Sequence, residues 1–174
     1  LVSGADFAYE EMKSKVDNII KLNPNKLFKD VYDINSSYDK SCDYMKKILE
    51  VTMASMKDGR YEDFGKKLLE GGYTLAHWTD LSGEMEKELP VVLKESLEDY
   101  ELTDKTEVAF CLRCPDELDE DKLRKMQNKL EKALLGKPYH IYRTISEGDD
   151  ASVSLIMTNM KKRFTYKFNK TQNT

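Results

Sequence analysis

The chain has 174 residues, 40% hydrophobic and 34% charged, with a net charge of −4. Its length suits one ordinary domain, and Leu, Ile, Val, Met, Phe and Tyr recur throughout, which disfavours wholesale disorder. The acidic balance argues against a globally basic nucleic-acid binder. No apolar run of about 18 residues is present to serve as a transmembrane segment.

In chain order, Val2-Ser3-Gly4-Ala5 comes first. Ser3 and Ala5 are small residues two apart, as at the end of a secretory signal, although a plain N-terminal coil fits too. Residues 6–22 read as a helix, with Ala8, Met12, Val16, Ile19 and Ile20 on one face and Asn23-Pro24 as the stop. Residues 25–34 suggest a turn or two of helix. Residues 37–57 give the clearest helical pattern, with Cys42, Met45, Leu49, Met53 and Met56 as the expected inward stripe and Ile48 and Thr52 beside it. Asp58-Gly59 ends it, a further helix carries Tyr61, Phe64, Leu68 and Leu69, and Gly71-Gly72 breaks that. Residues 73–81 fit helix or strand. Residues 82–100 read as a helix interrupted at Pro90, with Met85, Leu89, Val92, Leu93, Leu97 and Tyr100 on one face.

The pattern then changes period. Val108, Phe110 and Leu112 alternate with their neighbours, as in a strand. Residues 117–135 form an amphipathic helix closed by Gly136 and Pro138. Residues 139–146 and 151–158 alternate on either side of Glu147-Gly148-Asp149-Asp150, which predicts a hairpin, and Phe164, Tyr166 and Phe168 predict a last strand. The expected fold is α+β: one domain over 1–174, with four to five helices (6–100) packed on a small antiparallel sheet (β-α-β-β-β, 106–169). Polar alternation at Thr144, Ser146, Ser152, Ser154 and Thr158 predicts that one sheet face is wet.

Few residues suggest chemistry. Cys111 and Cys114 could form a disulfide or stay as two ordinary thiols; with His140 they supply only three zinc ligands, and a structural site needs four. His77, Trp78 and His140 are the candidates for lining a ligand pocket, against a plain packing role for the single tryptophan. Lys161, Lys162, Arg163, Lys167 and Lys170 form a basic surface that is either solvated or turned to an acidic partner. Neither glycine-rich phosphate loop nor nucleophile elbow occurs, so no catalytic residue, metal or cofactor is assigned.

Lys57-Asp58-Gly59-Arg60-Tyr61-Glu62-Asp63-Phe64, following an amphipathic helix, resembles the opening of NTF2-like or cystatin-like domains of small bacterial secreted and lipid-anchored proteins. The helix at 117–135 and the two alternating runs after it are similar to the helix and hairpin that end such domains. The resemblance implies a binding or accessory role; with the absent motifs, the one-sided sheet and the possible signal remnant, the expectation is a non-catalytic binding or interaction domain with a protein partner, secreted or in the cell envelope. The alternatives are a cytosolic regulatory module acting through helix-face contacts, and a small enzyme with a pocket near His77, Trp78 and His140.

Overall fold

The computed structural model describes residues 11–12, 15, 19–22, 34–55, 73–82, 84–98, 100–115, 119–146, 148 and 150–163. Among them the elements run β1 (Ile19–Leu22), α1 (Ile34–Ser55), β2 (Tyr73–Leu81), α2 (Met85–Ser96), β3 (Tyr100–Glu101), β4 (Val108–Cys114), α3 (Glu120–Ala133), β5 (Tyr139–Ile145) and β6 (Ala151–Lys162). Five strands lie in the order β1-β2-β6-β4-β5, and β3 pairs with the far end of β6.

The sheet is mixed. β1 pairs parallel with β2, and β4 parallel with β5, while β6 runs antiparallel to β2 and β4. The expected arrangement of four to five helices on an antiparallel sheet is thus corrected to three helices, among the described residues, on a mixed sheet. Two particular expectations fail with it. Ile19–Leu22, placed at the end of a first helix, is a strand. β5 and β6 are no hairpin, because β4 lies between them: Phe110 pairs with Ile141 on one side and Leu155 on the other. Alternation shows that a segment is a strand but carries no information on its partner. β4, α3 and β5 instead make a parallel crossover unit, the kind of connection that parallel strands require. The expected helix at 60–70 and strand at 164–168 lie outside the described residues.

Helices α2 and α3 cover one face of the sheet. Leu89 and Leu93 of α2, Met126 and Leu130 of α3 and its C-cap Leu134 pack in one cluster with Val108, Phe110, Leu112, Val153, Leu155 and Met157 from β4 and β6. The helical period puts Met85, Leu89, Val92 and Leu93 on the buried side of α2. Pro90 sits within α2 and has no N–H for the carbonyl of Glu86 one turn back. Lys129 of α3 supplies the missing donor: its Nζ lies 3.0 Å from that carbonyl oxygen. Asp119 caps α3 by accepting from the Asp121 N–H at 2.9 Å.

Helix α1 covers the opposite face, against β2, β4, β5 and β6. This corrects the expectation of a wet face. Ser152, Ser154 and Thr158 are buried, and a buried hydroxyl is tolerated where it finds a partner. Thr52 of α1 supplies one, its Oγ1 lying 3.0 Å from Ser154 Oγ. With both faces covered, β6 is buried almost without interruption. The inward side of α1 carries Ile48, Val51 and Thr52, while Leu49 and Met53, expected inside, are exposed.

Candidate functional site

The strand directions bring the ends of β2 and β4 and the start of β6 together at one end of the sheet. There they meet α1 in a cleft of about 380 Å³. Lys47, Glu50 and Val51 enter from α1, Trp78 and Asp80 from β2, and Arg113 from β4; Asp150, Ala151 and Ser152 close it. Cross-strand register places Trp78 opposite Ser154, and Asp80 opposite Ser152. Arg113 is also opposite Ser152, from the other side.

Trp78 is held on two sides. Lys47 Nζ lies 4.1 Å from the centroid of its ring system, a cation–π contact. Tyr44 meets it edge-on, with centroids 6.3 Å apart and planes at 89°. The Tyr44 hydroxyl also accepts the backbone N–H of Trp78 at 2.8 Å and lies 3.0 Å from His77 Nδ1. With a lone pair taken by Trp78, its single proton is available to the imidazole nitrogen. Burial pushes the Tyr44 phenol up to about 12, with the Trp78 N–H pulling the other way. It therefore stays neutral at physiological pH. Deeper under α1, burial likewise pushes the Cys111 thiol up to about 12, only partly offset by a hydrogen bond with Thr52. Such a thiol is inert at neutral pH.

The candidate residues are only partly brought together. His77 is buried and Trp78 lines the cleft, both tied to Tyr44. His140 lies on β5, three strands from β2 in the sheet order and so about 14 Å away. It stacks on Tyr142, with centroids 5.9 Å apart, and its Nε2 is 4.0 Å from Glu107 Oε2. Cys111 and Cys114 are three residues apart on a continuous strand and so point to opposite faces. Both are free thiols. In the basic surface, Lys161 pairs with Glu101 at 3.1 Å, and Arg163 Nε donates to the Tyr100 carbonyl at 2.9 Å. Lys162 sits opposite Tyr100 in the strand register, while Lys167 and Lys170 lie outside the described residues.

Sequence patterning did not single out Tyr44, Lys47, Glu50, Asp80, Arg113 or Asp150. Each looks like an ordinary polar residue of a helix face, strand end or turn, and they converge only through strand order. The cleft sets Lys47 and Arg113 against Glu50, Asp80 and Asp150 over an aromatic floor, and Ser152 adds a hydroxyl. That lining suits contact with a polar partner. No group of three His, Cys, Asp or Glu able to hold a metal is found among the described residues.

No family model matches the sequence, and no curated protein does. Solved structures do match. A mutant FtsZ from M. jannaschii is similar with a TM-score of 0.68 and 16% identity, over 90% of this chain and 54% of FtsZ. CetZ1 from Haloferax volcanii, a GDP-bound monomer, gives 0.58 and 12%, over 87% of this chain and 48% of CetZ1. TubZ from Bacillus thuringiensis serovar israelensis, a GTPγS-form protofilament, gives 0.58 and 12%, over 79% of this chain and 39% of TubZ. The fold is thus of the FtsZ/tubulin type, and the chain spans about half the length of the FtsZ and CetZ1 chains it matches. This corrects the resemblance to NTF2-like and cystatin-like domains. The expected non-catalytic binding role and the secreted or cell-envelope placement are corrected with it. No helix among the described residues is long and apolar enough to cross a membrane.

Proposed function

We propose that this protein is a GTP-dependent, filament-forming protein of the FtsZ/tubulin kind, working inside the cell. The observation that carries this is the extent of the fold likeness, 90% of the chain at a TM-score of 0.68 with FtsZ. Support for the assembly part comes from TubZ, solved as a protofilament in its GTPγS form. Support for a guanine nucleotide comes from the GDP carried by CetZ1. Self-association is the part of this function proposed for the chain described here. GTP binding and hydrolysis are proposed for the protein as a whole.

The cleft between α1 and the sheet gives this reading a structural handle. The contact of α1 with the sheet includes one hydroxyl pair, Thr52 with Ser154, the Tyr44 hydroxyl on the Trp78 N–H, and charged side chains around the cleft, as well as apolar side chains. The exposed charged side chains around the cleft can exchange their contacts with water or a partner at little net cost, unlike the buried hydroxyl contacts beneath them. The test is sedimentation and light scattering of the purified protein with GTP, with GDP and with neither. The expected result is polymer with GTP alone, accompanied by phosphate release. Protein that stays in the supernatant under all three conditions and turns over no GTP would overturn the proposal.

A further inference from the structure

We draw no further inference here: the strongest candidate, the outward apolar stripe of Tyr38, Cys42, Leu49 and Met53 on α1, is an unpartnered helix face, and nothing in the structure shows what covers it.

Discussion

The Tyr44 hydroxyl joins α1 to the sheet through two hydrogen bonds, one to the backbone of Trp78 and one to the ring of His77. Tyr44→Phe keeps the ring and removes both. It leaves a backbone N–H under α1 without its acceptor, so a loss of about 1–3 kcal/mol is expected in urea unfolding. An unchanged midpoint would mean that water replaces the hydroxyl freely. Tyr44 and Cys111 also set an alkaline limit. Both have folded pKa values raised to about 12, from ordinary values of 10.0 and 9.0. The unfolded chain therefore loses these protons first as pH rises. Their contribution is fully present below about pH 9 and declines between there and about pH 12. Cys111→Ala should flatten the lower part of that decline, and a fall of the same shape in the variant would remove Cys111 as its cause. Leu135, just after α3, is held at φ 54° and is 81% exposed. A side chain there bears the left-handed backbone penalty and returns little burial. Leu135→Gly is expected to raise stability by about 0.5–1 kcal/mol, read as a higher urea midpoint.

At the scale of elements, α2 and α3 are joined by more than their apolar faces. Pro90 leaves the Glu86 carbonyl without its helical donor, and Lys129 reaches across to it. A double-mutant cycle isolates this link. Lys129→Ala should cost about 1 kcal/mol with Pro90 present and close to nothing with Pro90→Ala, because the restored alanine N–H takes over the carbonyl. Equal costs in both backgrounds would show that Lys129 acts through general electrostatics instead. Element types were largely legible from the sequence wherever one period dominated. The inward faces of α2 and α3 follow from the recurrence of Leu89, Val92, Leu93, Met126, Leu130 and Leu134. Helix α1 was harder, because it is apolar on two sides. Ile48 and Val51 face the sheet, and Leu49 and Met53 form a second stripe that a sequence pattern weights equally. Residues 73–81 were ambiguous because His77 and Trp78 interrupt the usual alternation, and pairing with β1 and β6 makes them a strand.

At the scale of the whole molecule, β6 is the organising strand. It lies between β2 and β4, carries β3 at its far end, and has α1 on one face and the α2–α3 pair on the other. Its central residues should therefore be the most sensitive to truncation. Leu155→Ala removes a fully buried side chain from the main cluster, and a loss of about 2–5 kcal/mol is expected in equilibrium unfolding. A cost below about 1 kcal/mol would mean that the core around β6 closes the cavity readily. Local chemistry decided much in advance: the helical faces of α2 and α3, the strand character of β4, β5 and β6, and the stop at Gly136 and Pro138 all follow from side-chain periodicity and backbone freedom within a few residues. Strand order, the burial of the Ser and Thr face and the convergence of Lys47, Trp78, Asp80, Arg113 and Asp150 depended on the tertiary structure. Those features rest on contacts between residues far apart in the chain. A strand's own sequence records which side is apolar but not which strand will lie beside it.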